Sequence, residues 1–300
     1  MKTLPLSVLF AACAALSACA EEDPAEAVLS AGEAFEGSAS SGVAFGGLTA
    51  RPAVVVREIH VAGSVSSSIA PGFDLDSRVS NATDREACGK KDFTSPDGIT
   101  GIDNQLGAVW ASVYDLAGVP VEGLIRAAVN DGKLAFVVEF DGLDDPWNDD
   151  DVTLHLFRGY NEKPIIGTTG VMQGGQTFEV RPGAPVVTAE HVSIVDGRLH
   201  LSADEYYLDL ELLAEAFAIN VINMEFGLQY QEDGTWNGYL GCGVSVAEIS
   251  EIARTYAESE SRIIIPLLPN IADLRPGPDN KCTYVSAVLE LKGIDAFIAR

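Results

Sequence analysis

The chain has 300 residues and is strongly acidic, because 44 Asp and Glu against 19 Lys and Arg give a formal net charge of −25 at pH 7. This charge argues against a nucleic-acid partner and against electrostatic attachment to anionic lipid, since both require a basic surface. Hydrophobic residues make up 47% of the chain, which is enough for a folded core. The composition therefore predicts a folded protein with a solvated acidic surface, or one that binds divalent cations.

Residues 1–18 have the pattern of a secretory signal. Lys2 precedes an apolar run from Leu4 to Leu16, which is too short to cross a bilayer core of about 30 Å. Ser17-Ala18 and then Cys19 follow. Leu16-Ser17-Ala18-Cys19 resembles the lipobox of bacterial lipoproteins. The resemblance implies cleavage before Cys19, diacylation of its sulfur and acylation of the new amino group.

The resemblance also implies a location in the cell envelope, with the lipid on Cys19 as the membrane anchor. Ala20, rather than aspartate, follows the cysteine, which by resemblance favours the outer membrane, on either its periplasmic or its surface face. Residues 19–50 are rich in Ala, Glu, Ser and Gly, a composition typical of a flexible acidic tether. We therefore predict a signal peptide at 1–18, the lipidated cysteine and tether at 19–50, and a single β-rich domain at 51–300.

Alternating apolar residues predict strands in most of the chain after Pro52. In 222–230, for example, every second residue is apolar, from Ile222 to Tyr230. Turn dipeptides separate the strands, which indicates antiparallel pairing; they are Asp131-Gly132, Asp141-Gly142, Asp196-Gly197 and Asp233-Gly234. The predicted fold is mainly β, an antiparallel β-sandwich or open barrel with two or three accessory helices.

The helical patterns lie in three places. Residues 103–117 have an apolar stripe at helical spacing, with Asp103 as the predicted N-cap. A second stripe begins at Val121. Ser245 and Glu248 have the spacing of a capping box. The apolar segment 263–268, which contains Pro266, reads as a loop.

Three cysteines remain after removal of the signal and lipidation of Cys19. Cys88, Cys242 and Cys282 would lie in an oxidising compartment, where a disulfide is expected. We favour Cys242–Cys282, since both residues lie in the C-terminal part of the chain. Cys88–Cys282 is the alternative pairing.

Two acidic segments contain oxygen ligands of the kind that Ca²⁺ prefers. The segment from Asp92 to Asn104 combines carboxylates with turn-forming glycines, and its candidate ligands are Asp92, Asp97, Asp103 and Asn104. The segment from Asp141 to Asp151 lies between two predicted strands, and its close carboxylates would repel one another without a cation. Its candidate ligands are Asp144, Asp145, Asn148, Asp149, Asp150 and Asp151. Residues 88–106 also resemble predicted lipoproteins of unknown function, which implies no activity.

The motifs of the common enzyme classes are missing. The sequence has no G-x-S-x-G, P-loop, H-E-x-x-H or G-x-G-x-x-G pattern. This favours a non-catalytic binding or structural role at the cell envelope, with an envelope protein or a glycan as partner and Ca²⁺ as a possible bound ion. The alternative is a carbohydrate-active or other hydrolase on a β-sandwich, which would use the acidic loop residues; Trp147 and Trp236, which lie beside turns, are candidates for stacking on a sugar.

Overall fold

The computed structural model of the protein describes residues 44–45, 48–117, 121–212, 215–256 and 258–299. The predicted signal peptide, Cys19 and most of the predicted tether lie outside these residues. Contacts gather residues 41–300 into one compact unit. The predicted boundary between tether and domain, at residues 50 and 51, falls inside a strand that begins at Leu48.

The described strands and helices follow one another in this order: β1 Ala44–Phe45, β2 Leu48–Val61, β3 Phe93–Thr94, β4 Thr100–Ile102, α1 Gln105–Ala117, α2 Val121–Asn130, β5 Ala135–Asp141, β6 Asp149–Tyr160, β7 Gln176–Val180, β8 Val186–Ile194, β9 Arg198–Leu212, β10 Glu215–Tyr230, β11 Trp236–Ser245, α3 Val246–Tyr256, α4 Glu258–Ile271, β12 Leu274–Pro276 and β13 Cys282–Ala299. The mainly β fold is thus confirmed. The described residues contain four helices where two or three were predicted.

The long strands pair mostly in sequence order. β2 pairs with β5, β5 with β6 and β6 with β8, while β9 pairs with β10, β10 with β11 and β11 with β13, all antiparallel. β13 then returns to β2, with Ala296 opposite Ala53. Between β8 and β9 the ladder is a single antiparallel bridge, from Val195 to Arg198. The order of pairing is therefore that of an open barrel, one of the two predicted architectures, and its weakest ladder lies between β8 and β9.

One short strand departs from this antiparallel order. β7 pairs in parallel with the end of β13 and antiparallel with the end of β6. It therefore connects β6 and β13, two strands that are not hydrogen-bonded to each other.

The main core is built from inward-facing residues of these strands. Leu154 and Leu156 of β6 and Phe226 of β10 are fully buried in it. The alternation predicted for 222–230 holds from Met224 to Tyr230, but a bulge between Ile222 and Glu225 interrupts it. Ile222 is therefore buried outside this core.

The outer surface of the wall formed by β10, β11 and β13 is covered by the segment 62–104. Asn223 Nδ2, at the bulge, donates a hydrogen bond of 2.6 Å to the carbonyl oxygen of Leu75. The ring of Phe73 lies so close to Gly241 that an added Cβ would be 2.8 Å from it. The long polar segment is therefore attached to the barrel by specific contacts.

The disulfide joins this segment to β13. Cys88 and Cys282 are bonded, with their Cα atoms 5.8 Å apart, while Cys242 is a free, buried thiol. The favoured pairing of Cys242 with Cys282 is therefore wrong, and the alternative is the one formed. Cys242 is opposite Ala287 in the β11–β13 ladder. Ala287 follows Cys282 by five residues in β13. Since side chains alternate along a strand, this odd separation puts Cys242 and Cys282 on opposite faces of the sheet.

Two local predictions about helices differ from the structure. Asn104, rather than Asp103, caps α1, because its Oδ1 accepts a hydrogen bond of 3.0 Å from the N–H of Gly107. The apolar segment predicted as a loop lies inside α4, which continues through Pro266 and Pro269. In the capping box, Ser245 Oγ accepts from the N–H of Glu248 as predicted.

Candidate functional site

Three aspartates of the segment 62–104 converge on one place, and we call them the aspartate cluster. They are Asp74, Asp76 and Asp103, and one carboxylate oxygen from each lies within 4.8 Å of the others. Asp103 is buried, Asp76 is half-buried and Asp74 is exposed. The cluster therefore extends from the protein interior to the surface.

Backbone pairing brings these aspartates together. The N–H of Asp103 donates to the carbonyl oxygen of Phe73, and Asp103 Oδ2 accepts a hydrogen bond of 2.8 Å from the N–H of Leu75. Leu75 is buried, so it fixes the positions of Asp74 and Asp76 on either side of it. The cluster thus depends on a short antiparallel contact between residues 73–75 and 101–103.

A glycine is required where the two segments approach. Gly101 has φ of +85°, in the left-handed region that favours glycine. A Cβ at this position would lie 2.7 Å from the carbonyl oxygen of Arg78 and 3.3 Å from Asp74 Oδ2. The absence of a side chain at Gly101 therefore allows Asp74 to approach Asp103.

Burial and mutual repulsion disfavour ionisation in the cluster. Burial, followed by the charges of the nearby Asp273 and Asp76, raises the pKa of Asp103 to about 9. Burial, followed by the charge of Asp74, also raises the pKa of Asp76. Without a cation, Asp103 therefore carries a proton at neutral pH.

The donor set suits a hard divalent cation. All three side chains offer carboxylate oxygens, and Ca²⁺ binds six to eight such oxygens from side chains, carbonyls and water. Asp76 Oδ1 is buried and has no hydrogen-bond partner among the described residues. The positive charge of Arg78 partly offsets the rise in the pKa of Asp76, but its guanidinium forms an ion pair with Glu86. A bound cation would satisfy Asp76 Oδ1 and remove the repulsion among the three carboxylates.

Of the first predicted segment, only Asp103 belongs to this group. Asp92 is buried and accepts a hydrogen bond from the N–H of Ser80 through Oδ2. Burial raises the pKa of Asp92 to about 6. Asp97 is exposed in a turn. Asn104 is fully buried, and its amide donates to the carbonyl oxygens of Ala62 and Pro71.

In the second predicted segment, several side-chain oxygens accept hydrogen bonds from neighbouring backbone N–H groups or contact a neighbouring side chain. Asp149 accepts hydrogen bonds from the N–H groups of Asp144 and Asp151, and these contacts lower its pKa. Asp145 Oδ1 accepts from the N–H of Trp147. The remaining candidates also lie near the surface: Asn148 Oδ1 accepts from the N–H of Asp196, Asp151 Oδ1 lies 2.7 Å from His191 Nδ1, and Asp150 is exposed. None of these residues belongs to the aspartate cluster.

Sequence reasoning missed Asp74 and Asp76. Both lie in the Ser-, Asp- and Gly-rich stretch that carries no clear strand or helix pattern. Their Asp-x-Asp spacing was the available signal, since it puts two carboxylates on one side of an extended chain.

Two cavities on the barrel are lined by residues other than the three aspartates of the cluster. The larger has a volume of about 960 Å³, and Trp147, Arg198 and Tyr230 are among the residues that line it. The smaller has a volume of about 490 Å³ and is lined in part by Phe73, His200 and Tyr239. The aspartates of the cluster line neither of these two cavities, so the raised pKa values of Asp76 and Asp103 do not belong to an acid pair that faces either of them.

No protein-family model, curated protein or solved structure matches this chain. None of the helices among the described residues is long and apolar enough to span a membrane. The fold and the site together define a mainly β open-barrel protein with a candidate carboxylate cation site.

Proposed function

We propose that this protein is an exported, lipid-anchored protein of the cell envelope, with a non-catalytic role, whose barrel domain binds Ca²⁺ at the aspartate cluster. The observation that carries the cation proposal is the convergence of carboxylate oxygens from Asp74, Asp76 and Asp103 within 4.8 Å of one another. The anchor proposal depends on the lipobox residues that end at Cys19.

A structural cation accounts for these aspartates better than catalysis does. A hydrolytic acid pair must face a cleft that admits substrate, whereas neither described cavity is lined by the cluster. The acidic loop of the hydrolase alternative offers Asp149, but its hydrogen bonds to backbone N–H groups lower its pKa, which is the wrong direction for a general acid. We therefore propose the non-catalytic role ahead of the hydrolase.

The cation would stabilise the covering segment on the barrel. Residues 73–78 and 100–103 meet at the cluster, and Leu75 connects them to Asn223 at the bulge of β10. A cation shared by both stretches would hold the segment 62–104 in place, together with the disulfide from Cys88 to Cys282. Ligand binding of this kind adds to folding stability by mass action.

Calorimetric titration of Ca²⁺ into chelator-treated protein tests this proposal. We expect binding to the wild type and to the Asp97→Asn variant, because Asp97 is an exposed aspartate on the same segment but outside the cluster. We expect at least a tenfold weaker affinity in the Asp76→Asn variant, since one charged ligand is lost. Equal affinities in the two variants, or no binding to the wild type, would contradict the cation proposal.

A further inference from the structure

The larger cavity is a groove built from three connections of the barrel, and we call it the tryptophan groove. Trp147 comes from the connection between β5 and β6, Asp196 from the β8–β9 turn, Arg198 from the start of β9, and Tyr230 from the end of β10 next to the β10–β11 turn. Its volume of about 960 Å³ is at the upper end of the range of roughly 300–1,000 Å³ that is usual for small-ligand sites.

The ring of Trp147 is held in position by its surroundings. The N–H of Trp147 donates to Asp145 Oδ1 at 2.8 Å, and its carbonyl oxygen accepts from the N–H of Gly197 at 2.7 Å. The ring meets Tyr230 edge to face, with centroids 5.2 Å apart. Trp147 remains 37% exposed, so part of an immobilised indole is available to a ligand at a small entropic cost.

Glycine is needed beside this ring. Gly197 has φ of +75°, and a Cβ there would lie 3.1 Å from Trp147 Cε3 and 3.2 Å from Tyr230 Cβ. The Asp196-Gly197 turn that the sequence predicts therefore also brings the two aromatic side chains together. The acidic loop, whose residue Asp145 holds the Trp147 backbone, contributes to the same arrangement.

Planar polar side chains form the rest of the groove. Arg198 Nε donates to Gln229 Oε1 at 2.6 Å, and Gln229 Nε2 donates to the carbonyl oxygen of Asp196 at 2.7 Å. The side chains of Asn237 and Glu232, which also line the groove, make no hydrogen bond to the described residues. The groove thus offers amide, carboxylate and guanidinium groups, a mixture of donors and acceptors that suits hydroxyl groups.

The negative charge of the groove disfavours anionic ligands. Asp196, Glu232 and Asp233 line it against the single cation of Arg198, and the whole chain carries a net charge of −25. An anionic ligand such as a phosphate ester or a uronic acid would be repelled. Asp233 accepts hydrogen bonds from Thr235, which lower its pKa, so it would stay ionised and would not act as a general acid.

We propose that the tryptophan groove binds a neutral sugar, with Trp147 stacked on a sugar face and the polar side chains contacting its hydroxyl groups. The C–H face of a pyranose is apolar and its rim is hydroxylated, which matches a fixed aromatic ring surrounded by amides and carboxylates. The site is separate from the aspartate cluster, and the inference goes beyond the proposed cation binding.

An array of neutral oligosaccharides from glucan, mannan, xylan, galactan and chitin, probed with the detergent-solubilised full chain, tests this inference. The best-binding oligosaccharide is then titrated by calorimetry. We expect Trp147→Ala to weaken its binding by about tenfold or more, and Trp147→Phe to retain most of the affinity. Phe297→Ala is the matched control, because Phe297 is 40% exposed but does not line the groove, and it should bind as the wild type does.

Three results would overturn the inference. One is the absence of binding to every neutral oligosaccharide of the array at about 1 mM, a concentration that detects dissociation constants up to about 1 mM. Another is equal binding by the wild type and a folded Trp147→Ala variant, checked by circular dichroism. The third is binding of anionic polygalacturonate alone, which would assign the groove to an acidic ligand through Arg198.

Discussion

The carboxylate of Asp103 accepts a hydrogen bond of 2.8 Å from the backbone N–H of Leu75. This one contact connects the short segment that follows β4 to the stretch that contains Asp74 and Asp76. A buried carboxylate therefore has two roles, since it orders the backbone beside it and belongs to the proposed cation site. The predictions below separate these roles and test the other proposals.

The stability of the cation-free protein should fall as pH rises. The pKa of Asp103 is raised to about 9 in the folded state, against about 3.9 in an unfolded chain. Between these values the folded state binds one proton more, so unfolding free energy decreases with pH by up to about 1.4 kcal/mol per unit. Asp273, whose pKa burial raises to about 7, adds to the decrease between about pH 4 and 7.

Melting curves in chelator from pH 5 to pH 9 measure this effect. Saturating Ca²⁺ should flatten the decrease, because the ion binds the ionised carboxylates and its affinity rises with pH. A melting temperature that increases from pH 5 to pH 9 in chelator would contradict the burial argument for Asp103.

The Asp103→Asn variant should have opposite effects with and without Ca²⁺. Asparagine keeps an oxygen that can accept from the N–H of Leu75 but never ionises. In chelator at pH 8 we expect an equal or higher melting temperature than for the wild type, since the asparagine does not have to take up a proton on folding as the buried Asp103 carboxyl does. With Ca²⁺ the wild type should gain roughly 5 to 10 °C when the ion is at about 100 times its dissociation constant. The variant should gain little of this, and an equal gain would argue against Asp103 as a ligand.

Gly101→Ala should disturb the cluster more than Gly98→Ala. Both glycines have positive φ, of +85° and +90°, so both variants carry a backbone cost of about 1 kcal/mol. A Cβ at Gly98 has nothing within 4 Å, whereas one at Gly101 lies 2.7 Å from the Arg78 carbonyl oxygen. We expect a further loss of stability and weaker Ca²⁺ binding in Gly101→Ala alone, measured by denaturant unfolding and calorimetry.

Loss of the disulfide should destabilise the domain. The bond between Cys88 and Cys282 closes a separation of 194 residues, and the loss of a native disulfide typically costs about 2 to 5 kcal/mol. Urea unfolding of Cys88→Ser in the background of Cys242→Ser measures this cost, with the Cys242→Ser protein as control. Thiol titration of the oxidised domain should detect Cys242 only after unfolding, because it is buried.

Replacement of Cys19 by Ser should abolish lipid attachment. The lipobox resemblance makes the Cys19 sulfur the site of diacylation, so labelled palmitate should enter the wild type but not Cys19→Ser. Cys13→Ser is the control, since Cys13 lies within the predicted signal and should not affect labelling. Persistent labelling of Cys19→Ser would refute the anchor.

Local features of the fold followed from the sequence. Alternation predicted the strands around Phe226, and the turn dipeptides predicted their antiparallel connections, as at Asp196-Gly197, because both depend on neighbouring residues. The bulge at Asn223 did not follow, because it is stabilised by a contact with a distant segment. The continuation of α4 through Pro266 did not follow either, because proline usually ends or kinks a helix. Asn223 binds Leu75, a residue far away in sequence.

The candidate site was predicted only in part. Asp103 was identified from its oxygen ligand and nearby glycines, but its partners Asp74 and Asp76 come from a stretch without periodicity. Their meeting depends on the pairing of Phe73 with Asp103, which no local pattern encodes. By composition the acidic loop that contains Asp149 was an equally suitable cation site. In the structure, however, the Asp149 carboxylate accepts a hydrogen bond from the backbone N–H of Asp144.

The sequence by itself determined the acidity, the mainly β class, the turns and the prediction of a lipid anchor, because composition and short-range spacing encode these properties. Only the tertiary structure decided which cysteine pairs with Cys282, which aspartates converge and where Trp147 lies. The physical reason is that a strand presents alternate residues to opposite faces, so contact between distant residues depends on register and face. For that reason Cys242 does not pair with Cys282. Asp74 lies close to Asp103 because two distant segments pair there.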